Sequence, residues 1–263
     1  MCLTPLVVHK RTVPCGNCAE CRSAHRRAWA FRLDYEAQYS ATSLFVTLTY
    51  DDDNLLFADS DLAVLNYADI RNYFKRLRKE GLKFKYFAVG EYGEKFGRPH
   101  FHILFFCKTS LKIDEIFRQK WEKGNVHIRP ADFANIRYCL KDMLKFRGEF
   151  DHLEKEFRPQ IRVSKGLGID YIESHKHYHM LNANEIPKGL PLKGKPTSLM
   201  PRYYRNKLFN TAQKEYQSLL IASKMIADAR SSEYTHEKSI NKHEYVFQKN
   251  QVSKKIRHAN KTL

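Results

Sequence analysis

The 263-residue chain has no apolar run long enough to cross a bilayer, no internal repeat and no low-complexity tract. Its opening residues, Met1-Cys2-Leu3-Thr4-Pro5, do not place basic charges ahead of a long apolar stretch. No signal peptide is therefore expected, and an intracellular protein without a membrane partner is. The Gly-rich stretch Ser164-Lys165-Gly166-Leu167-Gly168 lacks the Walker-A pattern, so it is not read as a nucleotide-binding loop. Acidic residues are also scarce: 29 Asp and Glu face 46 Lys and Arg, leaving a formal charge of +17. A surplus of that size favours a polyanionic partner, because each cation set on a phosphate releases a condensed counterion.

What is present fits the same direction. Hydrophobic residues make up 43% of the chain, enough for a packed domain rather than a disordered one. The basic residues interleave with 15 Tyr and 17 Phe, side chains able to stack on bases. Six cysteines in a reducing compartment read as thiols or metal ligands rather than disulfides.

Patterning predicts a helix over roughly residues 19–39 and a strand from Ser43 to Tyr50, rich in aromatic and β-branched residues. Asn66 and Asp69 open a second helix, in which Ile70, Phe74 and Leu77 keep helical spacing and Gly81 marks the end. Strands follow over Lys83–Val89, Pro99–Cys107 and Gly124–Arg129, and helices over Leu111–Trp121 and Asp132–Phe146. The Pro99–Cys107 strand is apolar on both faces and should be central. The order predicts an α+β fold, a central and mainly antiparallel sheet with flanking helices. Residues 182–201 read as loop, 205–229 as helix, and the last thirteen residues as a basic tail. Four regions are expected: a Cys-rich basic segment (1–40), a core (41–147), an accessory region (148–215) and a C-terminal tail (216–263).

The sharpest local signal is His100-Phe101-His102. Residues two apart on a strand share a face, so the two imidazoles would project side by side, able to ligate one metal ion. Glu91 ends the preceding strand and would reach the same face if the two strands pair; Glu94 is the rival third ligand, deeper in the turn. Two imidazoles and a carboxylate leave positions open for phosphate oxygens and water, and suit Mg²⁺ or Mn²⁺. On the last predicted helix, Tyr138 and Lys141 are three apart and hence neighbours on one face, with Lys145 a turn further on. A phenol needs such a cation or a polarised phosphate to act as a nucleophile. The apolar stripe of that helix lies nearly opposite Tyr138, so the phenol would reach the metal from the helix flank.

Cys15, Cys18 and Cys21 are spaced by three, with Cys2 upstream. Four thiolates would close a structural Zn²⁺ site, although similar spacing occurs in iron–sulfur ligation. Arg22, Arg26, Arg27 and Arg32 follow and are candidates to grip phosphates. His175, His177 and His179 alternate as on one strand face, in a polar setting that favours an exposed or nucleic-acid-facing segment over a metal site.

Four segments carry a family resemblance: V-P-C-G-N-C-A-E-C-R (13–22), F-V-T-L-T-Y (45–50), V-G-E-Y-G-E-K-F-G-R-P-H-F-H (89–102) and M-P-R-Y-Y-R-N-K-L (200–208). In this order they resemble the replication initiators of gokushovirus-type single-stranded DNA phages, members of the HUH endonuclease superfamily. The resemblance implies a metal held by His100, His102 and Glu91, and a Tyr138 nucleophile that keeps the 5′ end as a phosphotyrosine, with Lys141 steadying the metal site or the developing charge. It implies nicking and rejoining of single-stranded origin DNA during rolling-circle replication in the bacterial host cytoplasm, with host replication proteins as further partners. Arg22, Arg26, Arg98, Lys145 and Arg202 are the residues expected to contact DNA. Many relatives carry a second tyrosine four residues after the first, where this chain has Asp142. Either Tyr138 acts alone in each subunit, or a second copy supplies another tyrosine. The alternatives are a plasmid-type initiator, a single-strand transposase, or a non-catalytic DNA-binding protein on the same fold.

Overall fold

The computed structural model describes residues 2, 4–8, 11–58, 62–109, 113–141, 150–190 and 198–230. Along the chain these form β1 (Leu6–Val8), β2 (Arg11–Val13), α1 (Ala19–Gln38), β3 (Thr42–Thr49), β4 (Leu56–Phe57), β5 (Ala63–Val64), α2 (Tyr67–Lys79), β6 (Phe84–Tyr92) and β7 (Pro99–Cys107). There follow α3 (Asp114–Gln119), β8 (Val126–Pro130), α4 (Phe133–Cys139), β9 (Ile161–Val163), α5 (Asp170–Leu181), β10 (Lys188–Gly189), β11 (Ser198–Leu199), α6 (Arg202–Leu208) and α7 (Thr211–Arg230). The chain divides into two compact units, Arg32–Ile169 and the pair of segments Met1–Phe31 and Asp170–Leu263. Lys145, Asp142 and the basic C-terminal tail lie outside the described residues.

The unit Arg32–Ile169 is built on a five-stranded sheet in the order β8-β3-β7-β6-β9, every neighbouring pair antiparallel. This is the α+β architecture that the sequence predicts, with β7 at the centre. Along β7, Phe101, Ile103 and Phe105 face one way and are fully buried. They meet Leu44, Val46 and Leu48 of β3, and Tyr73, Phe74 and Leu77 of α2, in one apolar cluster that also takes in Phe117 of α3. Full burial of one such side chain contributes roughly 1.5–3 kcal/mol. The helix α2 forms because its apolar residues recur at helical spacing and Asn66 caps it, its side chain accepting from the Ala68 N–H at 3.0 Å. Gly81, at φ +83°, ends the segment as expected. The opposite sheet face buries Phe87, Leu104 and Phe106 at one end and turns polar at the other, where Thr47, Thr49, Glu91, His100 and His102 share it.

β9 escapes the sequence reading; its three residues pair with Phe87–Val89 of β6 at the sheet edge. Two expected helices are shorter than predicted: α3 covers only Asp114–Gln119, and α4 gives way to its cap at Leu140.

In the other unit, β1 and β2 form an antiparallel hairpin, as do β10 and β11 within the stretch expected to be loop. The single helix expected over 205–229 is two, α6 and α7, separated at Phe209-Asn210. A larger correction concerns His175, His177 and His179, which lie on the helix α5 and not on a strand. A helix puts residues four apart together. Tyr171, His175 and His179 therefore line one side: the Tyr171 and His175 rings stack at 4.7 Å, and the Tyr171 hydroxyl lies 2.6 Å from His179 Nε2. His179 is buried, not exposed. Burial, and then the neighbouring His175, hold its pKa down at about 4.

Candidate active site

The polar end of the sheet face is assembled by strand register. β6 and β7 pair so that Glu91 lies directly opposite His100, and β3 and β7 so that Thr49 faces His100 and Thr47 faces His102. Cross-strand neighbours of this kind bring their side chains within contact distance. Glu91 Oε2 is 3.3 Å from His102 Nε2 and 3.8 Å from His100 Nε2. One donor atom from each of the three residues lies within 4.8 Å of the others. Glu94, the rival ligand, is exposed in the turn, outside this group.

The imidazoles are held in useful orientations. His100 Nδ1 lies 3.2 Å from the carbonyl oxygen of Arg98. A carbonyl can only accept, so Nδ1 carries the proton and Nε2 presents its lone pair towards Glu91. His102 Nδ1 lies 3.0 Å from the Thr47 hydroxyl. Its ring is stacked on Phe45 at 5.4 Å and met edge-on by Tyr138 at 5.1 Å. Burial, followed by the neighbouring His102, holds the His100 pKa below the usual histidine range, outweighing the Arg98 carbonyl and the Glu91 charge. Both effects favour the neutral imidazole, the form that binds metal. His102 Nε2 is buried with no hydrogen-bond partner among the described residues. A buried nitrogen aimed at a carboxylate and a second imidazole fits a divalent cation, which would satisfy all three.

Tyr138 and Lys141 come from α4 and the residues after it. Asp132 caps α4 by accepting from the Asn135 N–H at 2.7 Å, and Ile136, Cys139 and Leu140 are buried. Tyr138 is 41% exposed, on the flank of the helix, yet its ring reaches both Phe45 and His102. The geometric conflict between apolar stripe and phenol thus resolves: a short helix lets the stripe pack while Tyr138 leans over the histidines. The Lys141 Nζ donates to the Tyr138 hydroxyl at 2.9 Å and pairs with Glu91 Oε1 at 2.9 Å. Burial works against this ammonium, but its hydrogen bonds to Tyr138 and Glu91 and the charge of Glu91 win, raising the Lys141 pKa. Lys141 stays charged and cannot serve as a base.

The expected phosphate-contacting arginines divide. Arg98 is tied to Asp52 and to the Tyr50 carbonyl, so it braces the end of the hairpin as well as edging the site. Arg22 is only 8% exposed, which takes it off the surface where a phosphate would meet it. Arg26 is half-buried and Arg202 exposed. Two contributors were missed by sequence reasoning. Thr47, which bonds His102, stood within the F-V-T-L-T-Y segment but received no role; strand alternation with Thr49 was the available signal. His127 of β8 lies opposite Thr47, exposed on the same face.

In the other unit, Cys2, Cys15, Cys18 and Cys21 converge, their sulfurs all within 4.8 Å of one another. The Thr4 hydroxyl, then the N–H groups of Asn17 and Cys18, draw the Cys15 pKa down to about 5. Burial, foremost, pushes Cys21 up to about 12.

Fold and site together define an α+β protein with a paired-histidine and carboxylate centre beside a lysine-assisted tyrosine. Residues 43–147 match the family model for replication-associated proteins of the ORF2 type, a span that holds both the centre and the tyrosine. The chain is 29% identical over 191 residues to the Replication-associated protein ORF2 of Spiroplasma virus 4, covering 63% of this chain and 58% of that one. It is 27% identical over 216 residues to the Replication-associated protein VP4 of Bdellovibrio phage phiMH2K, covering 73% and 66%. The aligned part thus spans between half and two thirds of these relatives. Among solved structures, the likeness to the hypothetical protein ORF119 from Sulfolobus islandicus rod-shaped virus 1 is distant, with a TM-score of 0.30 at 19% identity over 45% of this chain and 92% of that one. The comparisons support the gokushovirus-type resemblance drawn from the sequence. No helix among the described residues is long and apolar enough to cross a membrane.

Proposed function

We propose that the chain is a metal-dependent, HUH-type endonuclease that nicks and rejoins single-stranded origin DNA in the host cytoplasm to start rolling-circle replication of a small phage. The observation that carries this reading is the placing of Tyr138 against His102 and Lys141, on the face where Glu91 and His100 also converge.

His100, His102 and Glu91 would hold Mg²⁺ or Mn²⁺, which supplies Lewis-acid polarisation of the scissile phosphate. Tyr138 is then the nucleophile. Its oxygen forms a bond to phosphorus, the P–O3′ bond breaks, and the departing O3′ takes up a proton while the phenol's proton leaves to solvent. The 5′ end stays on Tyr138 as a phosphotyrosine and a 3′-OH is freed. Lys141 donates to the phenol oxygen and so favours its anionic form, while its bond to Glu91 fixes the carboxylate. Because the bond energy is kept in the ester, the reverse attack by a 3′-OH rejoins strands without a further energy source. The +17 charge supports a DNA substrate, with Arg26, Arg98, Lys145 and Arg202 as further phosphate contacts.

The test uses 3′-labelled single-stranded oligonucleotides spanning the phage origin, with Mn²⁺, read on a denaturing gel. Wild type should give a protein–DNA adduct and Tyr138→Phe none. An adduct that persists in the variant would reject Tyr138 as the nucleophile. Binding without any adduct from the wild type would favour a non-catalytic DNA-binding protein.

A further inference from the structure

The second cluster of metal-ligating side chains stands apart from the nicking chemistry. β1 and β2 pair with Leu6 opposite Val13 and Val8 opposite Arg11. Continuing that register sets Thr4 opposite Cys15 and carries Cys2 towards the segment that leads into α1. Cys18 immediately precedes α1 and Cys21 sits in its first turn, three residues on and so on the same side. Two sulfurs are thus presented by the helix start, one by the end of the hairpin and one by the strand-side arm.

The local bonding is that of sulfur used as an acceptor. The Asn17 and Cys18 N–H groups donate to Cys15 Sγ at 3.4 and 3.3 Å, and the Cys15 N–H donates to Cys2 Sγ at 3.2 Å. Cys18 Sγ lies 3.9 Å from Cys2 Sγ. Tetrahedral zinc with Zn–S bonds of about 2.3 Å sets its sulfurs about 3.8 Å apart. All four cysteines are free and half-buried. Backbone N–H groups aimed at sulfur stabilise thiolates, and packed thiolates need a cation between them.

We infer that Cys2, Cys15, Cys18 and Cys21 bind one Zn²⁺ ion as a closed structural site. Four protein thiolates leave no position for water or substrate, so the ion takes no part in phosphoryl transfer. Its role is to lock the β1–β2 hairpin to the start of α1. The hairpin needs such a lock: Leu6, Val7 and Val8 are 52%, 75% and 45% exposed, so burial of its own apolar residues does little to hold it.

The test is metal analysis of full-length protein purified under reducing conditions and exchanged into zinc, with the active-site ligand removed by His102→Ala so that only the cysteine site is counted. About one zinc per chain is expected. Adding Cys18→Ser or Cys21→Ser should remove it, while Cys107→Ser, outside the cluster, should not. Should the serine variants fail to fold, the His102→Ala protein can be titrated with a thiol reagent in the presence of a chromogenic chelator, and zinc release should accompany modification of the clustered thiols. A zinc-free His102→Ala protein, zinc retained in Cys18→Ser, or iron with acid-labile sulfide in place of zinc would each overturn the inference.

Discussion

Replacing Lys141 with methionine should slow nicking and, at the same time, lower the concentration of divalent metal that half-saturates the enzyme. The two effects come from the two bonds that one ammonium makes, 2.9 Å to the Tyr138 oxygen and 2.9 Å to Glu91 Oε1. The first is strengthened as negative charge gathers on the phenol oxygen. A hydrogen bond to a charged group is worth about 1.5–3 kcal/mol, or roughly 10- to 150-fold in rate at 1.36 kcal/mol per decade. The side chain is 33% exposed, so solvent screening argues for the lower end, about tenfold. The second bond competes with a cation for the same carboxylate, so its loss frees Glu91 for metal. Methionine keeps the length of the side chain and its packing over the Tyr138 ring, where Nζ now sits 4.1 Å from the centroid. The assay is single-turnover adduct formation on a 3′-labelled oligonucleotide across a Mn²⁺ series. An adduct rate within twofold of wild type at saturating metal would refute the assigned role on Tyr138. An unchanged metal dependence would refute the competition for Glu91.

Thr47→Val removes the hydroxyl that bonds His102 Nδ1 while keeping the branched shape that packs in β3. Loss of such an outer partner should weaken Mn²⁺ binding about 10- to 100-fold, measured by calorimetric titration; unchanged affinity would show that Phe45 and Tyr138 orient the ring without it. Gly124→Ala should cost on the order of 1–3 kcal/mol or more, read as a lowered melting temperature. Gly124 sits at φ +142°, and a Cβ there would lie within van der Waals overlap of the Thr49 carbonyl oxygen and the Asp51 nitrogen; an unchanged melting point would contradict that close approach. His179 has its folded pKa depressed to about 4 against 6.5 unfolded. Its contribution to stability is therefore complete above pH 6.5 and lost as pH falls towards 4, since the unfolded chain binds the proton more readily. Urea midpoints should fall over that window in wild type and fall less in His179→Gln; equal slopes would reject the linkage.

The sheet and its metal face were legible because strand alternation is a strong code. His100 and His102, Glu91 at a strand end, and the doubly apolar β7 all follow from period two. The tyrosine was legible only as a spacing with Lys141; its aim depended on how α4 ends, which is decided by packing of Ile136, Cys139 and Leu140. β9 was illegible because three residues carry no period, and its pairing with β6 alone makes it a strand. The histidines of α5 misled for a related reason. Alternating His-x-His-x-His fits a strand face, but Tyr171, His175 and His179 recur at four, and in the folded chain that period prevails. The buried place of Arg22 was hidden because a basic run shows charge without showing which cation turns inward.

The β6–β7 hairpin has a consequence for how such a chain can vary. Its pairing closes at Tyr92 and Pro99, one step beyond the Glu91–His100 pair. Residues gained or lost between these two closing positions change only the connecting loop, and its outermost residues, such as Phe96, are exposed. One residue gained or lost within either strand shifts the parity, and the carboxylate and the imidazoles part to opposite faces of the sheet. Insertions and deletions should therefore be tolerated at the tip in any number and rejected in the strands unless they arrive in pairs or are absorbed by a bulge. A library of single-codon insertions scanned through residues 84–107 would display that rule as a sharp border at Tyr92 and Pro99.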